Sequence, residues 1–111
     1  MQFQIKRDTL LKSLTVADNI IERKNTIPIL ANVLLQIKDN VLNIIATDLD
    51  IVFHDQISDL KIDNDGSTTT SATVLYDLLR KIPTNLDITF VLESKNKLEI
   101  TAKSSKFNLL C

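Results

Sequence analysis

The sequence predicts an α+β domain of order β-α-β-β-β-β-α-β-β-β, with two helices on one side of a mainly antiparallel sheet, and three observations carry that expectation. Apolar residues recur at intervals of three and four from Arg7 to Ile21 and again from Ser71 to Ile82, the period of a helix with one buried face. Outside those two stretches they alternate, as in strands with one face covered. One Gly and two Pro in 111 residues leave little room for irregular loops. Turn signals at Asp39-Asn40, Asn64-Asp65-Gly66 and Ser94-Lys95-Asn96 fall between alternating runs, so the strands should join through short connections.

In order, Phe3 and Ile5 alternate against Gln2, Gln4 and Lys6, a first strand. Leu10, Leu14, Ala17 and Ile21, flanked by Leu11 and Ile20, form the apolar face of the first helix, and Asp8 suits the dipole in its first turn. Its opposite face carries Arg7, Lys12, Thr15, Asp18 and Asn19. The period changes within Glu22 to Asn32, where Arg23-Lys24 form a paired basic tip and Pro28 fixes an apolar re-entry. Three strand-like runs follow at 32–38, 41–47 and 49–57 as an antiparallel meander, and the polar stretch 61–66 reads as a connection before a short strand at 67–70. Ser71 is placed to cap the second helix, whose apolar face is Leu75, Leu78, Leu79 and Ile82 and whose last turn holds Arg80-Lys81. Pro83 ends it, and strands at 87–92, 97–102 and 106–110 complete two halves of similar layout.

Length and composition describe one domain with a core of Ile, Leu and Val and with Phe3, Phe53, Phe90 and Phe107 as bulky fillers. The single cysteine, Cys111, excludes an internal disulfide and a multi-cysteine zinc site, and a reducing, cytoplasmic setting is expected. The first residues lack the apolar region of a signal peptide, and no run approaches the roughly 20 apolar residues of a membrane span. Net charge is −1, but residues 1–24 sum to +2, 25–79 to −6 and 80–111 to +3, so positive charge gathers toward both ends of the chain.

Catalysis finds no support. Asp48 and Asp50 could share a strand face, yet no third ligand stands at a recognisable spacing, so they read as a polar strand junction. Aligning Gly66 with the glycine of a calcium loop would put Lys61 and Ala72 at ligand positions, which excludes that site. His54, the sole histidine, reads as a surface or rim residue; no nucleophile elbow can be assembled, and one glycine cannot make a phosphate cradle. No cofactor is expected. The basic residues Arg7, Lys12, Arg23, Lys24, Arg80 and Lys81 would share a surface if both helices lie on one side of the sheet, and could then hold a phosphate backbone without reading bases. Scarce aromatics favour duplex over single-stranded contact. On the last strand Phe107 and Leu109 alternate beside Lys106, either as core or as an edge that another chain extends.

Several stretches together resemble the first domain of the bacterial sliding clamp, the beta subunit of DNA polymerase III. They are Phe3 with Leu10-Leu11-Lys12, Thr26-Ile27-Pro28-Ile29-Leu30 with Asn32, Ala46-Thr47-Asp48-Leu49-Asp50, Thr68-Thr69, Asp77, Arg80 with Pro83, and Ser105-Lys106-Phe107-Asn108-Leu109. The resemblance covers essentially the whole chain and implies a DNA-clamp domain, the first of three, with the later two absent from this chain. It implies a non-catalytic processivity factor whose two subunits close head to tail around double-stranded DNA. Lys24 with Arg23 would touch the duplex, Lys12, Arg7 and Arg80 would add positive potential, and Phe107, Leu109 and Lys106 would meet the other subunit. DNA polymerase III and the clamp loader would bind through later domains. Thr73 and Val74 depart from the family, which often carries basic residues there, so local charge and any ion pair should be weaker. The reading of a different class is a stand-alone interaction module that pairs through its terminal edge strand.

Overall fold

The computed structural model describes residues 1–21, 32–47 and 50–111. Its elements are β1 (Gln2–Lys6), α1 (Arg7–Ile20), β2 (Asn32–Lys38), β3 (Val41–Thr47), β4 (Val52–Ile57), β5 (Lys61–Asn64), β6 (Gly66–Ser71), α2 (Ala72–Lys81), β7 (Asp87–Ser94), β8 (Lys97–Ala102) and β9 (Ser105–Leu110). Every strand pairing is antiparallel. The strands divide into two sheets, β5-β1-β7-β8-β9 and β4-β3-β2-β6, where the sequence suggested one.

The division follows from an exchange between the halves. Chain order gives β1-α1-β2-β3-β4 and β6-α2-β7-β8-β9 as equivalent units, with β5 between them. The leading strand of each joins the other's sheet: β1 pairs β7, from Gln2 opposite Val91 to Lys6 opposite Asp87, while β6 pairs β2. The two-part layout is thus present, with its first strands swapped.

One strand departs from the expected order. Lys61–Asn64 pairs β1, with Ile62 opposite Phe3, and forms the edge of the five-stranded sheet. Ile62 is its only apolar residue, so no alternating pattern marks it. A short, charged strand is what an exposed edge tolerates without recruiting another chain. At β4 the regular pairing starts at Val52 rather than residue 49, and Asp48 and Leu49 lie outside the described residues.

Local chemistry accounts for the joins. Asp39 and Asn40 both take positive φ, 54° and 64°, which a two-residue hairpin turn matched to strand twist requires. Ser71 caps α2 as expected, its hydroxyl accepting from the Val74 amide at 3.3 Å. α1 has no side-chain cap; the Arg7 amide instead donates to the Leu86 carbonyl at 2.8 Å. Gly66 has φ of 153°, and a Cβ there would meet the Met1 Cβ at 2.7 Å, so the residue opening β6 has no room for a side chain.

The core lies between the helices and the inner faces of the two sheets. Phe3 and Phe90, opposite one another on β1 and β7, are fully buried and stack with centroids 4.8 Å apart. The other two phenylalanines are only partly buried, Phe53 on β4 and Phe107 on β9. These are the outermost strands of their halves, and that position bears on the site.

Candidate functional site

The helices carry the expected apolar stripes, with Leu10, Leu14 and Ala17 buried on α1 and Leu75 and Leu79 on α2. Asp18, expected on the polar face of α1, is instead buried, and the Thr73 hydroxyl donates to its carboxylate at 3.0 Å. Thr73 thus contributes a neutral hydroxyl that bonds across the helix pair.

Arg7 does not join the exposed cations. Its Nε donates to the Leu79 carbonyl at 3.0 Å, its guanidinium also bonds Asp8 at 2.9 Å, and its side chain is only 12% exposed. The fork binds the last turn of α2 to the start of α1, adding a second donor to the Leu79 carbonyl, which also accepts from the Ile82 amide at 3.2 Å. Arg80 is 60% exposed, lies over the Tyr76 ring at 5.4 Å and is 3.9 Å from Asp77. An exposed pair at that length binds weakly, leaving the guanidinium available. Lys12 and Lys81 are exposed. Lys12 borders a groove of about 500 Å³ shared with Asp55 and Asp59, two acids that offset its charge. Arg23 and Lys24 lie outside the described residues. Among the described positions the exposed helical charges nearly balance: Asp8 and Asp77 against Lys12, Arg80 and Lys81.

The outer strands β4 and β9 form a second kind of site. Each ends its sheet with an unpaired side, and each overhangs a groove toward the helix of its own half. Between β9 and α2 a groove of about 610 Å³ is lined by Val74, Leu78, Lys81, Lys106, Phe107 and Leu109, among others. Between β4 and α1 the corresponding groove includes Val16, Phe53 and Ile57. All large apolar residues exposed among the described positions fall at these two ends: Val16, Ile51 and Val52 at one, Val74 and Leu110 at the other. Isolated surface apolar residues need no explanation, but clustering along unpaired strand edges marks association. The sequence singled out β9 and missed β4, where Val52 is 68% exposed in a run that reads as one more meander strand.

Lys106, at the β9 edge, is 3.7 Å from Glu99, which lies beside Glu93; Lys97 pairs Glu93 at 3.3 Å. The hydrogen bond between the two carboxyls raises Glu99 above the ordinary glutamate value and lowers Glu93, with Lys97 adding to the lowering. His54 is exposed, its Nε2 2.9 Å from Asn43 Oδ1. Among the described residues no group of three or more His, Cys, Asp or Glu could hold a metal ion, and no helix is long and apolar enough to cross a membrane.

Comparison with known proteins matches residues 1–111 to the family of the DNA polymerase III beta subunit, N-terminal domain. A beta sliding clamp of Caulobacter vibrioides is 39% identical over 110 residues, covering 98% of this chain and 29% of the relative. One from Vibrio harveyi is 35% identical over 112 residues, covering 98% of this chain and 74% of the relative. The solved Caulobacter crescentus pol III beta superposes with a TM-score of 0.91 at 39% identity, over 99% of this chain and 29% of that one. The chain thus spans under a third of the length of the Caulobacter relatives.

Proposed function

The chain belongs to the DNA polymerase III beta subunit N-terminal domain family, and from that premise we propose that it serves as one segment of a ring-shaped sliding clamp around double-stranded DNA. The observation that carries the reading is the pair of unlike edges. A unit that presents one apolar edge strand at each end can be joined head to tail, and heterologous contacts of that kind close into rings when the rotation per unit allows. β9, through Phe107, Leu109 and Lys106, meets the other subunit of a homodimer, and β4 meets a neighbouring domain. DNA polymerase III and the clamp loader dock on later domains of the full-length protein. The protein tethers polymerase to template in the cytoplasm and catalyses nothing itself.

The helix pair faces the duplex. Lys24 and Arg23 supply the phosphate contacts, Lys12 and Arg80 add potential, and Arg7 holds the helices in place without touching DNA. Near-balanced charge on the helices suits a sliding ring, because few phosphate contacts leave it free to move while still keeping the duplex centred.

In the full-length protein, Arg23→Ala with Lys24→Ala should weaken DNA binding and reduce the slope of log affinity against log salt by about 2, one for each cation withdrawn from the phosphates. Equilibrium titrations at several salt concentrations measure this. An unchanged slope would remove both residues from the interface. A stand-alone module that pairs with itself through β9 would show neither DNA affinity nor that slope.

A further inference from the structure

On the reading that β9 receives a strand from the other subunit, we infer that Thr70 is a positioning residue for that edge, fixing the end of the window in which an added strand can pair. The unpaired groups of β9 follow from its ladder. In an antiparallel pair each residue directs both its N–H and its C=O either toward the partner strand or away from it, and the choice alternates along the strand. The Cys111 amide donates to the Asn96 carbonyl at 3.2 Å, so Cys111 faces the β7–β8 turn, and Leu109 and Phe107 face β8 in the same sense. Lys106, Asn108 and Leu110 therefore direct their backbone groups to the free side.

One of those groups is already occupied. The Thr70 hydroxyl on β6 donates to the Leu110 carbonyl at 3.2 Å. Thr70 is 2% exposed, whereas the Leu110 side chain on the same strand end is 85% exposed. The bond crosses from the edge of the four-stranded sheet to the edge of the five-stranded one. Cys111 secures the other side of this strand end through its amide and through its Sγ, 3.7 Å from the Lys95 carbonyl. The strand is thus held from both sides at Leu110 and Cys111, and within β9 complete backbone pairing remains open at Lys106 and Asn108. An incoming strand that ran past them would meet a carbonyl whose accepting direction is taken. Register is the consequence. A strand aligned on Lys106 and Asn108 is set against Phe107 and Leu109, whereas a one-residue slip would turn its apolar face away from them.

Thr70→Val keeps the shape of the side chain and removes the donor; Thr70→Ser keeps the donor. In the full-length protein, Thr70→Val should weaken subunit association about tenfold by sedimentation, because a carbonyl left without its buried donor lets the strand end wander. It should also speed amide exchange at Asn108 and Leu110, and Thr70→Ser should restore both. A Thr70→Val protein that melts at a lower temperature yet keeps the parent association constant and β9 exchange rates would overturn the inference, leaving Thr70 a structural core residue. Leu109→Asp distinguishes the underlying reading. If it abolishes association while Thr70→Val leaves association unchanged, only the role of Thr70 fails; if Leu109→Asp also leaves it unchanged, β9 is not the interface at all.

Discussion

The edges at β4 and β9 occupy equivalent places in the two halves, yet they are built differently. At β9 the strand end is held by Thr70 and Cys111, Phe107 and Leu109 are partly buried against the core, and the groove beside it carries Lys81 and Lys106 against Asp77. At β4 regular pairing begins late, Ile51 is 54% exposed just before it, and the groove carries Asp55 and Asp59 against Lys12. One end is positive, the other negative. Two copies of a symmetric edge would meet like charge with like; an edge of each sign suits contact between unlike ends, with electrostatics selecting orientation.

The largest expected effect tests whether β9 is an interface. Leu109→Asp places a charge where an apolar anchor should enter a dry interface. It should raise the subunit dissociation constant by at least about a hundredfold, the scale of losing a central anchor and burying an unpaired carboxylate. Sedimentation of the full-length protein at graded concentrations measures it. Val52→Asp at the other edge should leave that constant within about threefold, since β4 is assigned to a different neighbour. Equal losses from both substitutions would break the distinction between the edges.

A smaller effect tests the charge contrast. Lys81→Glu with Lys106→Glu turns the β9 groove acidic and should slow association of full-length subunits roughly tenfold at low salt, with little change in dissociation, because rim charges act mainly on encounter. The difference should fade as salt screens it. Stopped-flow association at two ionic strengths reads both features. An unchanged rate at low salt would mean that the sign of this edge has no part in recognition.

Residues whose partners are close in sequence, or whose period is regular, were legible. The helix stripes, the Ser71 cap, the Asp39-Asn40 turn and the exposed Arg80 all followed from local pattern, and the family resemblance carried the fold of the domain. What escaped depended on distant partners. Asp18 reads as solvent-facing until Thr73, 55 positions later, turns out to bond it. Arg7 reads as a surface cation until the Leu79 carbonyl claims it. β5 is too polar to show a strand period and becomes one because β1 needs a neighbour. The exchange of β1 and β6 between sheets leaves no mark on either strand's own sequence, since an alternating strand pairs equally well on either side of the fold.

The smallest effect concerns the charges behind β9. Glu93 and Glu99 share a hydrogen bond on the solvent face of β7 and β8, between Lys97 and Lys106, and the pair titrates as a unit with Glu99 raised and Glu93 lowered about the ordinary value of 4.5. A raised carboxyl binds more protons in the folded than in the unfolded chain. Its stabilising contribution is therefore complete below the unfolded value and lost as pH climbs through the folded one. The lowered Glu93 acts oppositely, contributing above the ordinary value and losing that contribution as pH falls through its depressed one. Glu99→Gln keeps the hydrogen bond to Glu93 while removing the second ionisation. It should flatten the decline in melting temperature between pH 4.5 and neutrality and leave the acid limb in place. Melting curves across that range decide it, and a variant whose slope matches the parent's would show that Lys106 alone neutralises Glu99, so that the β9 edge gains nothing from the paired carboxyls behind it.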